Sequence, residues 1–276
     1  MASLQSISLT TKVFETTGSN PVKILCDDLN EYVCKYSRNV PASALFNEFL
    51  AAEFLKIWGL AVPNFNLVNI KPESIRADHI STIVQPGFFN RPCFGSQYND
   101  FGKEMDKSMS VLSTDPKIVK KIRRKQDLLS IALFDLWMAN EDRHHNNYNL
   151  LLNTDPEYYF VPIDHEKCLN THSLALHRPL VMLTEDETLI NTELTKLVFK
   201  DETNLGVLIE QVLENYYLCV PKCQKSLEKT INSMPEQWGI AKADKIALLN
   251  SSLFSENWVH ECEVTFRDYT TRFIQS

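Results

Sequence analysis

The spacing of apolar side chains divides the chain into a strand-rich first third and a helical remainder. Short apolar runs bounded by Gly, Pro, Asn or Asp predict strands near the N-terminus. These predicted strands cover residues 8–14, 22–26, 32–36, 66–70, 80–84 and 93–97. Residues 43–58 instead carry apolar side chains at helical spacing, and Gly59 follows where a glycine commonly ends a helix.

The remaining two thirds of the chain are mainly helical but contain one β-hairpin. Asp115 and Pro116 are typical of a helix start, and the apolar stripe after them predicts a helix to about residue 139. Two apolar runs at 150–152 and 158–163, separated by turn residues, predict the hairpin. Further helices are predicted at 204–217, 221–232, 241–254 and 255–273, with irregular segments at 100–114 and 165–183.

This order of elements predicts an α+β fold with two lobes. We expect residues 1–99 to form a strand-rich N-lobe and residues 100–276 to form a mostly helical C-lobe.

Composition and charge narrow the functional classes. A net charge of −7 argues against general nucleic-acid binding, which requires a basic surface. No apolar stretch approaches the ~18 residues of a membrane span, and the N-terminus lacks the basic and apolar regions of a signal peptide. Seven cysteines, an odd number, are typical of reduced thiols. We therefore expect a cytoplasmic protein that does not associate with membranes.

Three oxygen-bearing side chains flank the predicted hairpin. Asp142 and Asn147 precede its first strand and Asp164 follows its second, so the hairpin brings all three toward one end. Such a trio suits a hydrated Mg²⁺ on a nucleotide phosphate, because hard cations take oxygen ligands. An aspartate with an asparagine five positions later is weak evidence by itself, since chance produces about one such pair in a chain of this size.

The order of charged residues strengthens this interpretation. Lys35 lies in an apolar strand, where its ammonium needs either solvent or a counter-charge, and Glu48 lies on the helix that follows. With the trio, these residues match the set that protein kinases use for phosphoryl transfer, in which a strand lysine pairs with a helix glutamate. Glu53 is the competing helix carboxylate, and a surface ion pair is the alternative for either one.

These motifs resemble those of the HipA-like kinase family, an atypical branch of the protein-kinase-like fold. Residues 140–147, N-E-D-R-H-H-N-N, resemble the family's N-x-D-R-H-x-x-N catalytic loop, and residues 161–165, V-P-I-D-H, resemble its metal-binding I-D-H. Residues 18–21 and 32–35 are similar to its phosphate loop and lysine strand. Further similarities lie at 47–63, 94–98 and 234–238, so the resemblance covers nearly the whole chain.

The resemblance implies a role for each matching residue of the catalytic centre. Asp142 is expected to be the catalytic base, while Asn147 and Asp164 are expected to bind Mg²⁺. Lys35 is expected to neutralise the α- and β-phosphates of ATP, and Glu48 to orient Lys35.

The resemblance also implies contacts to the rest of the nucleotide, which place ATP binding in the N-lobe. Backbone amides around Gly18 and Ser19 are expected to cover the phosphates. Main-chain groups of Gln97 and Tyr98 are expected to face the adenine. ATP and Mg²⁺ are thus the expected cofactors.

The chain departs from the full-length HipA toxins in two respects. It starts almost directly at the nucleotide-binding lobe, so we expect their additional N-terminal subdomain to be absent. No loop between Lys35 and Glu48 clearly matches their autophosphorylated regulatory loop, for which Ser37 and Ser43 are only candidates. Toxin activity and an antitoxin-like partner are therefore left open.

Three other sequence features have simpler interpretations. His144 and His145 do not predict a zinc site, because adjacent side chains rarely point together and no cysteine lies at zinc-like spacing. The basic run at 120–125 is interpreted as a solvated helix face. Cys219 and Cys223 are expected to be buried thiols.

The leading functional prediction is an ATP- and Mg²⁺-dependent kinase that phosphorylates Ser or Thr on a protein substrate. A small-molecule or lipid-headgroup kinase is an alternative, because phosphatidylinositol kinases carry a similar D-R-H-x-x-N. The acidic balance disfavours a membrane substrate. A nucleotide-binding pseudokinase that serves as an interaction module is a further alternative, although such proteins usually lack one of the four key residues, all present here.

Overall fold

The computed structural model describes residues 3–16, 19–105, 116–171, 173 and 178–274. Its strands are β1 (Leu4–Gln5), β2 (Lys12–Val13), β3 (Val22–Leu25), β4 (Glu31–Lys35), β5 (Phe65–Asn69), β6 (Cys93–Gln97), β7 (Gly102–Glu104), β8 (Leu150–Asn153) and β9 (Tyr159–Pro162). Its α-helices are α1 (Ser43–Trp58), α2 (Pro116–Lys121), α3 (Gln126–Met138), α4 (Glu193–Phe199), α5 (Leu205–Asn232), α6 (Lys242–Ser251) and α7 (Glu256–Phe273).

The first third of the chain forms a six-stranded sheet in the order β1-β5-β6-β4-β3-β2. Its pairs are antiparallel except β1 with β5, which is parallel. The register places Lys35, the last residue of β4, opposite Phe94 of β6. Position 95, next to Phe94, requires a glycine, because a Cβ there would lie 2.5 Å from the Val68 side chain of β5. The central strands are therefore closely packed where the lysine is presented.

Helix α1 packs between this sheet and the helical part of the chain, and it has the bounds that its apolar spacing predicts. Gly59 ends it in the left-handed conformation, with φ of 71°. Phe49 of α1 contacts the rings of Phe65 and Phe94 in the sheet and of Trp238 beyond α5. One continuous apolar core thus holds α1 from both sides.

The second sheet, β7-β8-β9, lies beside α3 and contains the predicted hairpin. Helix α3 is almost wholly buried, and its Trp137 stacks on Phe54 and Trp58 of α1. The Trp137 indole also donates a hydrogen bond to the carbonyl of Leu253, before α7. Since only residues 139–149 separate α3 from β8, this core fixes the end of the hairpin where the acidic residues lie.

Two strand predictions in the first third need correction. Residues 8–14 form only the short β2, although Ile7 and Thr11 also donate backbone hydrogen bonds to residues of β3. Residues 80–84 form a turn instead of a strand. The Ser81 hydroxyl accepts the N–H groups of Ile83 and Val84, so local side-chain bonding replaces strand pairing there.

Three predictions for the helical part also differ from the structure. The helix predicted up to residue 139 breaks after Lys121, because Arg123 donates to the carbonyl of Tyr158 beside the hairpin. The segment 100–114 contains β7, and its residues 106–114 lie outside the described ones. Residues 204–217 and 221–232 form the single helix α5, which continues through Pro221 and keeps this proline on its exposed face.

All seven cysteines are free and buried, as expected for Cys219 and Cys223. Across the described ranges, no helix has both the length and the apolar character that crossing a bilayer requires. The lobe boundary at residues 99 and 100 and the cytoplasmic location stay predictions.

Candidate active site

The centre of the candidate site is the side chain of Lys35 at the end of β4. Its Nζ lies 2.5 Å from Oε1 of Glu48 on α1 and 2.6 Å from Oδ1 of Asp164, which follows β9. Glu53, the competing carboxylate, instead lies 3.8 Å from Lys56 on the same helix. The structure therefore brings together the strand lysine, the helix glutamate and the aspartate after the hairpin.

The pKa values of this group reflect a buried charge cluster. Burial alone raises the pKa of Glu48, but the Lys35 charge and the bonds from Lys35 and His165 lower it to about 2. Burial likewise lowers the pKa of Lys35, while Asp164 and Glu48 outweigh it and raise that pKa above its ordinary value. Both side chains are thus charged at neutral pH.

The catalytic-loop residues lie in a tight turn before β8. His144 and Asn147 exchange backbone hydrogen bonds of 2.9 and 3.0 Å. The Asn147 amide nitrogen donates to the carbonyl of Asp142 at 3.1 Å, so the amide oxygen is the group left for a cation. Asn149 donates to the same carbonyl at 3.2 Å and to the Asp142 carboxylate at 3.3 Å. Two asparagines therefore position Asp142.

Asp164 has a left-handed backbone, with φ of 59°. The peptide groups on both sides of it are bonded. The carbonyl of Ile163 accepts a hydrogen bond from Arg143 at 3.0 Å, and the N–H of His165 donates to Glu48 at 2.8 Å. Its carboxylate consequently projects toward Lys35 from a backbone that is bonded on either side.

A buried cluster of polar side chains contacts the segments that carry Asp142 and Asp164. Arg143 Nη2 is 3.0 Å from His165 Nε2, and Arg143 Nε is 3.4 Å from Oδ2 of Asp135 on α3. Asn140 donates to the other Asp135 oxygen at 2.8 Å. Burial raises the pKa of Asp135 above its ordinary value, although the nearby Arg143 charge acts to lower it. Burial lowers the pKa of His165, so its imidazole is neutral at neutral pH.

The predicted phosphate loop is only partly described. Gly18 lies outside the described residues, whereas Ser19 is half-buried. Thr16 N–H donates to the Asn20 side chain at 3.1 Å, so these two residues are bonded to each other. The phosphate contacts of Gly18 and Ser19 therefore stay a prediction.

The predicted adenine-contact residues lie at the end of β6. The N–H of Gln97 donates to the carbonyl of Asn64 at 2.7 Å, and the N–H of Tyr98 donates to that of Glu31 at 2.8 Å. The Tyr98 ring lies under the ammonium of Lys23, 3.7 Å from it. Contact between Gln97, Tyr98 and adenine stays a prediction, and both N–H groups already have partners.

The donor set of this site fits Mg²⁺ bound together with a nucleotide. Among the described residues, no group of three or more His, Cys, Asp or Glu side chains is arranged to hold a metal by itself. Asp164 and the Asn147 amide each offer an oxygen. Mg²⁺ is typically held in this way, by one or two protein ligands together with phosphate oxygens and water.

Sequence reasoning missed four residues that hold the site together. Asn47, next to Glu48, donates to the carbonyls of Glu166 and Cys168, both at 2.8 Å. The other three, Asn149, Arg143 and His165, were assigned no role, although the last two lie inside the motifs quoted above. Their contacts to the residues of the site either span 20 or more positions in the chain or depend on a turn, so residue type and spacing carry no signal for them.

Comparison with known proteins places the chain among kinases. A family model described as HipA-like kinase matches residues 8–262. No curated protein matches the chain. The solved structure of the proinflammatory kinase CtkA from Helicobacter pylori is similar at a TM-score of 0.57 and 14% identity, over 96% of this chain and 99% of that one.

Two further solved kinases are more distant. The Golgi casein kinase with Mn and ADP bound has a TM-score of 0.46 and 13% identity, over 98% of this chain and 76% of that chain. The Rio2 kinase of Chaetomium thermophilum, in complex with ADP, Mg²⁺ and phosphoaspartate, has a TM-score of 0.35 and 11% identity. The match covers 97% of this chain and 72% of that chain. At such identities the likeness to CtkA shows the fold alone, and it confirms the predicted two-lobed, kinase-like α+β fold.

Proposed function

Because the chain belongs to the HipA-like kinase family, we propose that it transfers the γ-phosphate of ATP, with Mg²⁺, to Ser or Thr of a protein substrate. The observation that carries the proposal is the convergence on Lys35 of Glu48 and Asp164, from an N-terminal helix and from the end of the hairpin. A lysine held by a helix glutamate beside a metal-binding aspartate is what phosphoryl transfer requires.

The side chains of this site suit distinct steps of the transfer. Lys35 would neutralise the α- and β-phosphates, exchanging part of its contact with Asp164 for them, while Glu48 keeps its ammonium in place. Asp164 and the amide oxygen of Asn147 would hold Mg²⁺. Bound Mg²⁺ supplies neutralisation of the charge that develops on the phosphate oxygens.

Asp142 is the group proposed to handle the proton. The hydroxyl oxygen of the acceptor forms a bond to the γ-phosphorus as the bond from that phosphorus to ADP breaks, and the hydroxyl proton passes to the Asp142 carboxylate. Asn147 and Asn149 hold Asp142 through its carbonyl and carboxylate, so the base is oriented before substrate binds.

The complete set of Lys35, Asp142, Asn147 and Asp164 supports catalysis over a pseudokinase role. The acidic balance of the chain favours a protein acceptor over a membrane lipid. An antitoxin-like partner and toxin activity stay open, and neither is part of the proposal.

The test is transfer from labelled ATP with Mg²⁺ to a cell extract, followed by phosphoamino-acid analysis. We expect Asp142→Asn to reduce transfer by about 10²- to 10⁴-fold while ADP still binds. Asp244→Asn, an exposed carboxylate of α6, is the matched control and should transfer as the wild type does. Wild-type activity in Asp142→Asn would refute the base assignment, and label on lipid or tyrosine alone would refute the Ser/Thr protein acceptor.

A further inference from the structure

Asp164 is held through its backbone by two charged side chains that reach it from different parts of the chain. Arg143, directly after Asp142, donates from Nη2 to the carbonyl of Ile163 at 3.0 Å. Glu48 Oε1 accepts the N–H of His165 at 2.8 Å. These two bonds engage the peptide groups immediately before and after Asp164.

The backbone of Asp164 needs such support. Its φ of 59° is in the left-handed region, which residues with a side chain adopt at a cost unless the surroundings impose it. Rotation of either flanking peptide group would break one of the two bonds and turn the Asp164 carboxylate away from Lys35. The orientation of this carboxylate is therefore coupled to Arg143 and Glu48.

The His165 ring connects these two side chains to each other. Arginine can only donate hydrogen bonds, so the contact of 3.0 Å from Arg143 Nη2 requires Nε2 of His165 to accept. With Nε2 as an acceptor, the ring proton is on Nδ1, which faces Glu48 Oε2 at 3.8 Å. On the far side of Arg143, Asp135 Oδ2 lies 3.4 Å from Nε as an ion pair, although neither atom has a hydrogen-bond partner among the described residues.

We infer that Arg143, His165 and Glu48 form a clamp that fixes the metal-binding orientation of Asp164, with His165 as its central positioning residue. The inference rests on the proposed function, because it assumes that Asp164 binds Mg²⁺. Arg143 also follows Asp142 directly, so the clamp links the proposed base to the proposed metal ligand. Residues that orient metal ligands commonly change metal affinity by about 10- to 100-fold when replaced.

The test compares His165→Leu with His165→Gln. Leucine removes the acceptor for Arg143, whereas glutamine places an amide oxygen near the Nε2 position. For His165→Leu we expect the Mg²⁺ concentration at half-maximal activity to rise about tenfold or more. ADP affinity should fall when measured with Mg²⁺ and stay within about twofold when measured in EDTA. For His165→Gln, the Mg²⁺ concentration at half-maximal activity should return most of the way to the wild-type value.

Thr270→Val is the structural control, because among the described residues this buried hydroxyl bonds only to the Phe266 and Arg267 carbonyls within α7. It should lower stability without changing the Mg²⁺ requirement. Arg143→Lys provides a second variant if His165→Leu does not fold, since it keeps the charge beside Asp135 but loses the Nη2 group that donates to both Ile163 and His165. It should raise the Mg²⁺ requirement in the same way.

The possible outcomes separate the clamp from the proposed function. A wild-type protein that binds ADP no better with Mg²⁺ than in EDTA would overturn the proposed function. If the wild type depends on Mg²⁺ while His165→Leu or Arg143→Lys requires no more Mg²⁺ than Thr270→Val does, the clamp alone is wrong.

Discussion

Lys35 Nζ lies 2.6 Å from Asp164 Oδ1, although 129 residues separate the two in the chain. The same ammonium is 2.5 Å from Glu48, so one cation serves two carboxylates. Glu48 is almost wholly buried, whereas about a quarter of the Asp164 side chain, 27%, is exposed. Loss of Lys35 therefore affects the two acids differently, because water reaches only Asp164.

We expect Lys35→Met to destabilise the protein by about 3 kcal/mol, since it leaves the buried Glu48 charge without its partner. The double variant Lys35→Met/Glu48→Gln should be more stable than Lys35→Met, because the amide is neutral and its oxygen still accepts the His165 N–H. Urea unfolding at pH 7 measures both. A double variant whose loss equals the sum of the two single losses would show that the pair is not coupled.

Acid should remove the stability that the ionised Glu48 carboxylate contributes to the folded protein. The pKa of Glu48 is about 2 in the folded protein, below its ordinary 4.5, so its contribution is complete above pH 4.5 and is lost as the pH falls toward 2. Between pH 7 and pH 3 we expect the wild type to lose about 2 kcal/mol more unfolding free energy than Lys35→Met/Glu48→Gln. Urea titrations at several pH values test this, and parallel pH profiles would contradict it.

Asn149→Gly should lower kcat by about 10- to 100-fold with little change in KM for ATP, because the Asp142 carboxylate loses its amide donor. Glycine is chosen because Asn149 has φ of 45° and alanine would add backbone strain. Leu29→Gly is the matched control, since Leu29 also has positive φ but is exposed in a turn far from Asp142 in the chain. Equal kcat values for the two variants would exclude Asn149 from positioning Asp142.

Trp238→Phe should destabilise the protein by about 1 to 3 kcal/mol. The buried Trp238 indole donates to the Pro92 carbonyl at 2.8 Å, and its own carbonyl accepts the N–H of Ala42 at the start of α1. Phenylalanine leaves the Pro92 carbonyl unpaired and a cavity beside Phe49. Tyr217→Phe, which removes an exposed hydroxyl bonded to Glu263, should cost less than about 0.5 kcal/mol in the same thermal or urea unfolding.

Sequence pattern predicted an element correctly where its bounds depend only on residues within the element and next to it. Helix α1 has the predicted bounds because its apolar spacing and Gly59 are both local signals. The predictions for α5 and for the helix broken after Lys121 were wrong for the opposite reason. A solvent-facing Pro221 and a bond from Arg123 to the Tyr158 carbonyl depend on surroundings that residue type does not encode.

The sequence by itself determined the family, the two-lobed α+β plan and the charged residues of the candidate site, because motif order and periodicity are properties of the chain. Only the tertiary structure decided that Lys35 touches Asp164 as well as Glu48, and that Arg143 and His165 hold the Asp164 backbone. These contacts join segments whose separation is set by the packing of α1 and α3 around a shared core. Local propensity acts over a few residues, so it carries no information about which distant side chains that packing brings together.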